Sequence, residues 1–397
     1  MDRLYEISGN LIERTKLSFF RYLYNVIDWD WRMIGISGAR GSGKTTLMLQ
    51  YIKERIKPRK NVIYISLDDP YFLENSLLDF TDSFYKSGGK YIFIDEVHKY
   101  KNWSSELKNI YDYYPELKIV FSGSSALAIY NGEADLSRRA IVYNLNELSF
   151  REYLHISEKI QLPSFHLEEI LHDHQEIVAS LLTKVKPLEF FPQYLKFGLY
   201  PFIAEGSKYY LPRLGKALNQ VIETDLPAIE NINYTTVQNL KRLMYILAIS
   251  VPFKPNISEL SAKLGLSRER LLRHLDLLNR ARIIHLLKPQ NKAHAILSKP
   301  EKIFLNNPSL HFALNETVYQ TGTLRETFFY NQLNATHQVN YSLFGDFLVD
   351  NKYVFEVGGK SKTKKQIKGI EQGFLIKDGV EIGHSNTIPL WLFGFLY

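Results

Sequence analysis

The chain has 397 residues, 45% hydrophobic and 23% charged, with 22 glycines and 15 prolines. At about 150 residues per domain this length suits two or three domains, and the composition excludes collagen-like, low-complexity and wholly disordered chains. There is no cysteine, which excludes disulfides, cysteine-ligated zinc and thiol nucleophiles and fits a reducing, cytoplasmic setting; the net charge of +7 matters only where it is concentrated.

The first twenty residues carry charges throughout, and no uninterrupted apolar run reaches about 18 residues, so neither a signal peptide nor a membrane span is expected. Residues 32–37 (RMIGIS) read as a strand, followed by a glycine-rich turn and a helix from Leu47 to Arg55. Further buried strands are expected at 61–67, 91–94 and 118–121, with a helix at 104–113 between the last two. Strands alternating with helices predict an α/β domain with a parallel sheet covered on both faces. From Leu145 the strand pattern stops, and residues 147–250 read as helices and loops.

The turn is Gly38-Ala39-Arg40-Gly41-Ser42-Gly43-Lys44-Thr45-Thr46, which has the spacing of a P-loop. Small residues let successive backbone N–H groups point at phosphates, and the following helix adds its N-terminal dipole. Lys44 is expected to reach the β- and γ-phosphates of ATP, and Thr45 to place its hydroxyl on Mg²⁺. The strand at 91–94 ends in Asp95-Glu96. Asp95 is the second candidate for the Mg²⁺ shell and Glu96 the candidate general base, the alternative being two carboxylates that cap the next helix. Asp95-Glu96-Val97-His98 invites a helicase reading, but the other helicase motifs are not evident, and His98 is read as a surface histidine. Ser122 and Ser124 follow the 118–121 strand and are the sensor candidates, while Arg138 and Arg139 are candidate arginine fingers for a neighbouring subunit or else a solvated pair.

With Phe121-Ser122-Gly123-Ser124-Ser125 and Leu148-Ser149-Phe150-Arg151-Glu152-Tyr153, these motifs make the chain resemble a family of prokaryotic AAA-type P-loop ATPases. The resemblance implies a helical lid after the ATPase core, then a winged helix and a restriction-endonuclease-like domain. The corresponding boundaries are 1–145, 146–250, 251–318 and 319–397. It also implies P-loop and Walker B roles for Lys44, Thr45, Asp95 and Glu96, and matches Arg138 or Arg139 to the family's arginine after the sensor strand.

Residues 256–288 carry a helix-turn-helix pattern: Ser258 and Ser267 at expected N-caps, Gly265 at the turn, and Leu271, Leu272, Leu275 and Leu278 along one helix face. Strands at 283–287 and 302–305 would form the wing. The window 258–288 carries +4, and Arg268, Arg270 and Arg273 open the second helix, where a recognition helix meets DNA. A winged helix that docks protein is the alternative. At the C-terminus a helix is expected over 324–333 and strands at 339–343, 346–349 and 353–357, followed by a lysine-rich segment. Glu326, Asp346, Glu356 and Lys360 resemble the Asp…Glu-x-Lys array of metal-dependent nucleases, with three residues instead of one between Glu356 and Lys360. Lys362 and Gln366 are the substitutes for that lysine. His166, His172 and His174 are read as histidines on an exposed helix rather than metal ligands.

The function expected is Mg²⁺-dependent ATP hydrolysis coupled to DNA binding, in a possible homo-oligomer without a membrane partner. The alternatives are an ATP-gated switch or scaffold that binds a protein partner, and an ATP-regulated nuclease.

Overall fold

A computed structural model describes residues 1–123, 136–230, 232–249, 255–289, 298–315 and 321–397. The chain divides into two compact units: residues 1–147 with 223–231, and residues 148–222 with 232–397.

The first unit is built on five strands, β1 (Met33–Gly38), β2 (Val62–Ser66), β3 (Tyr91–Asp95), β4 (Lys118–Gly123) and β5 (Ile141–Leu145). They are all parallel, in the order β2-β3-β4-β1-β5. Alternation along the strands sends side chains to two cores. Ile63, Ile65, Ile92, Ile94, Ile119 and Phe121 pack with Phe80, Phe84 and Leu107 on one face. Ile34, Ile36, Tyr64, Phe93 and Val120 pack with Leu47, Met48 and Ile52 on the other. β5 was not expected from sequence: its five residues, IVYNL, are mostly exposed or half-buried, so they lack the apolar run that marks the inner strands. The chain runs from β1 to the far edge of the sheet and returns strand by strand, then crosses β1 to reach β5. This puts β1 at the switch point, where open α/β sheets carry their ligand sites.

In the second unit, Ser149 opens the helix Phe150–Glu158 with a capping box completed by Glu152. Ser149 Oγ and Arg151 Nε both donate to the main-chain oxygen of Tyr397, each at 2.9 Å, so this motif anchors Tyr397. The helix Leu167–Leu182 is not exposed throughout: His174 is buried, and neither ring nitrogen has a hydrogen-bond partner among the described residues. Burial, with His384 nearby, lowers the His174 pKa.

The helix-turn-helix forms as expected over Ile257–Leu264 and Arg268–Arg280, with Gly265 left-handed at φ 64° between them. Ser267 caps the second helix through Arg270 N, but Asn256, not Ser258, caps the first by accepting from Glu259 N. An antiparallel pair follows, β6 (Ile284–Leu287) with β7 (Lys302–Leu305). After the helix Thr321–Leu333 come β8 (Val339–Tyr341), β9 (Phe347–Val349), β10 (Tyr353–Gly358), β11 (Gly373–Lys377) and β12 (Thr387–Pro389), ordered β12-β11-β10-β9-β8. The hairpin pairs are antiparallel, whereas β10, β11 and β12 are parallel. β11 and β12 were hidden in sequence by the flanking lysines and by short lengths of five and three residues.

Candidate functional site

The P-loop turn depends on two backbone positions. Gly41 and Gly43 have φ of 82° and 99°, which a side chain disfavours. Gly38 is needed for space, since a Cβ there would collide with the Leu145 carbonyl oxygen of neighbouring β5. The helix Lys44–Arg55 then starts three residues earlier than its apolar pattern suggests, with Gly43 as N-cap and no side-chain cap. Its N-terminal N–H groups and dipole suit an anion. Lys44 is buried and donates to the carbonyls of Gly38 and Ala39 at 3.0 Å each.

Asp95 is the hub of the site. It accepts hydrogen bonds from Thr45 Oγ1 at 2.5 Å, from Tyr64 Oη at 2.8 Å, from Ser122 Oγ and from the Glu96 backbone at 3.0 Å. Direct contact between the Thr45 hydroxyl and the Asp95 carboxylate makes an oxygen donor pair of the kind a hard Mg²⁺ ion takes, so these residues fit that ion. The Asp95 partnership gives Ser122 a specific neighbour, while Ser124 lies outside the described residues. Tyr64 was not anticipated; on β2 it reads as one more core aromatic. Its hydroxyl pKa is raised first by burial and then by the charge of Asp95.

Glu96 sits in the left-handed region at φ 53°, unusual for a side chain of its size. Its pKa is raised by burial and, second, by Asp95. His98 is not a surface residue: it is buried, with Nε2 3.3 Å from Glu96 Oε2 and 3.7 Å from Asp225 Oδ1. Arg21, also missed, is buried and donates to the carbonyls of Ser42, Asn146 and Glu147, bracing the P-loop against the end of β5. No sequence spacing ties position 21 to position 42; only the fold does.

The two arginines differ. Arg139 forks onto Asp112, with Nε at 2.9 Å and a terminal nitrogen at 2.8 Å, whereas Arg138 is exposed. In the helix-turn-helix Arg268, Arg270 and Arg273 are all exposed at the start of the second helix, with Arg273 paired to Glu269 at 2.7 Å.

The C-terminal carboxylates converge, but around ammonium groups. Lys302, from strand β7, places Nζ 2.8 Å from Glu326 and 2.8 Å from Asp346. Burial alone would lower the Lys302 pKa, but the two carboxylates outweigh it and raise it. Glu356 pairs with Lys362, not Lys360. Lys360 lies against Gly379, and its carbonyl accepts from Lys377 Nζ at 3.0 Å. The three-residue gap after Glu356 carries Lys360 past the site, and the turn brings Lys362 back. With Lys302 between Glu326 and Asp346, this carboxylate set does not fit a metal ion, and no group of three or more His, Asp or Glu residues that suits one occurs among the described residues. No helix among the described residues is long and apolar enough to cross a membrane.

Residues 30–154 match the family model described as an AAA domain, and residues 188–321 match a domain of unknown function, DUF8612. The chain is 27% identical to an uncharacterized protein of Methanocaldococcus jannaschii, MJ1637, over 92% of its own length and 84% of that protein. Among solved structures it resembles the Walker-type ATPase PABY2304 of Pyrococcus abyssi at 13% identity and a TM-score of 0.41, covering 72% of this chain and 91% of that one. AMPPCP-bound DnaA from Aquifex aeolicus is similar at 16% identity and a TM-score of 0.28, with coverages of 68% and 86%. The P-loop and the Asp95-Glu96 strand end both fall within residues 30–154, the stretch that the AAA-domain family model matches.

Proposed function

We propose that this protein is a Mg²⁺-dependent ATPase whose nucleotide state governs DNA engagement through the winged helix and the C-terminal region. The observation that carries the reading is the contact of Thr45 with Asp95 beside an uncapped P-loop helix, with Glu96 next in sequence. In this reading the P-loop N–H groups and Lys44 hold the β- and γ-phosphates. Glu96 takes a proton from the water that attacks the γ-phosphorus as the bond to the bridging oxygen breaks. Thr45 and Asp95 would hold Mg²⁺, which when bound offsets phosphate charge. The modules expected at 146–250, 251–318 and 319–397 remain part of this proposal, and the exposed Arg268, Arg270 and Arg273 are its DNA-binding residues.

The test is steady-state ATP hydrolysis with Mg²⁺, with and without duplex or single-stranded DNA. DNA is expected to stimulate turnover, and Lys44→Ala to abolish it by weakening nucleotide binding. Replacing Arg268, Arg270 and Arg273 with alanine should remove the stimulation and leave basal turnover intact. The slope of log DNA affinity against log salt should also flatten, by about 0.9 for each phosphate no longer neutralised. Hydrolysis indifferent to DNA would assign the winged helix to a protein partner.

The arginines supply a second check. Because Arg139 is committed to Asp112 and Arg138 is exposed, Arg138 is the finger in this proposal. Mixing Lys44→Ala chains with Arg138→Ala chains should restore hydrolysis if one chain completes its neighbour's site, and a mixture no more active than its parts defeats that arrangement.

A further inference from the structure

Asp225 belongs to none of the motifs above, yet its carboxylate is fully buried in the first unit among cationic groups from two of them. Lys99 Nζ lies 2.7 Å from Oδ1, a terminal nitrogen of Arg40 lies 3.3 Å from Oδ2, and His98 Nε2 lies 3.7 Å from Oδ1. Arg40 is a P-loop residue, and His98 and Lys99 belong to the short turn Val97–Lys99 that follows Glu96. The same His98 nitrogen is 3.3 Å from Glu96 Oε2. Asp225 arrives at the end of the π-helical turn Val221–Asp225, in the segment 223–231 by which the chain re-enters this unit after residues 148–222.

A buried carboxylate is costly unless paired, and removing one partner from such a network leaves the others uncompensated. The arrangement therefore persists as a unit. Burial works against the charge of Asp225, but the hydrogen bonds and charges of His98 and Lys99 outweigh it and hold its carboxyl well below the usual carboxylate range. Glu96 itself holds a left-handed φ of 53°, and a strained residue of this kind persists only where its surroundings hold it.

We propose that Asp225 is the positioning residue of the ATPase site, holding His98 against Glu96, so that the water-activating carboxylate keeps its working geometry. This rests on the ATPase reading above. It assigns no chemical step to Asp225: hydrolysis depends on it through His98 and Glu96, and nucleotide binding does not.

The test compares Asp225→Asn, Asp225→Glu, His98→Gln and the double variant Asp225→Asn/His98→Gln, each in the full chain. The readouts are kcat, affinity for a fluorescent ATP analogue and melting temperature. For Asp225→Asn, kcat should fall about 10- to 100-fold, the cost of a misplaced reacting group. Nucleotide affinity should stay within about threefold, because the interaction removed belongs to the turnover geometry and not to ground-state binding. Asp225→Glu, which keeps the charge, should recover part of the rate. His98→Gln should reproduce the loss, and the double variant should be no slower than the slower single variant, since both act through one network.

An Asp225→Asn protein with wild-type kcat overturns the inference, and so do fully additive losses in the double variant. If Asp225→Asn does not fold, His98→Gln decides: lost turnover at unchanged affinity supports the proposal, and unchanged turnover overturns it. A wild-type protein that neither binds nor hydrolyses ATP defeats the ATPase reading itself. A wild-type and an Asp225→Asn protein with equal turnover defeat only the role of Asp225.

Discussion

Glu96→Gln is expected to bind ATP as tightly as the wild type and to hydrolyse it about 100-fold more slowly, within the range a positioned general base contributes. The substitution keeps the shape of the side chain and removes its basic oxygen. Glu96 directly follows the residue that pairs with Thr45, and its backbone N–H donates to Asp95 at 3.0 Å, so its position is set by the same carboxylate that anchors the site. Burial and, second, the Asp95 charge push its pKa upward, which makes its ionised carboxylate a stronger base. Single-turnover hydrolysis of bound ATP, measured beside nucleotide affinity, separates chemistry from binding. Equal single-turnover rates in the two proteins would remove Glu96 as the base and leave the water to another group.

The second large effect is expected far from the P-loop in sequence. Lys302→Met should destabilise the protein by about 3–5 kcal/mol, the cost of breaking a buried ion pair by removing one partner. The Lys302 side chain is only 8% exposed, and those of Glu326 and Asp346 are 14% and 16% exposed, so solvent screens this cluster little. Without the ammonium group, the two carboxylates are left facing each other. Asp346 is also tied to β10, its second oxygen accepting from Val357 N at 2.9 Å, so it cannot turn out to water without breaking that bond. Adding Glu326→Gln to Lys302→Met should recover part of the loss by removing one of the two charges. Denaturant midpoints for the two variants and the wild type check both statements. A Lys302→Met protein of wild-type stability would show that the ammonium does not support the fold. In the same region the lysine that pairs with Glu356 is Lys362, while the cation between Glu326 and Asp346 comes from β7, 24 residues before Glu326 in the chain.

What the sequence determined by itself is what depends on neighbouring residues. The P-loop was legible because its glycines are demanded by local backbone angles, as Gly41 and Gly43 show, and because a strand must precede it and a helix follow. Asp95-Glu96 was legible as the polar end of an apolar strand. The helix-turn-helix was legible through Gly265, the Ser267 cap and a leucine face of helical period. The tertiary structure alone decided where separate stretches meet. β5 becomes a strand by lying beside β1 despite its polar exposure, and His98 is buried with Glu96 and Asp225 as neighbours. Tyr64, Arg21, Asp225 and Lys302 look like ordinary core or surface residues in sequence. Their roles come from hydrogen bonds and ion pairs to residues tens to more than a hundred positions away, and a local pattern carries no trace of a partner at that distance.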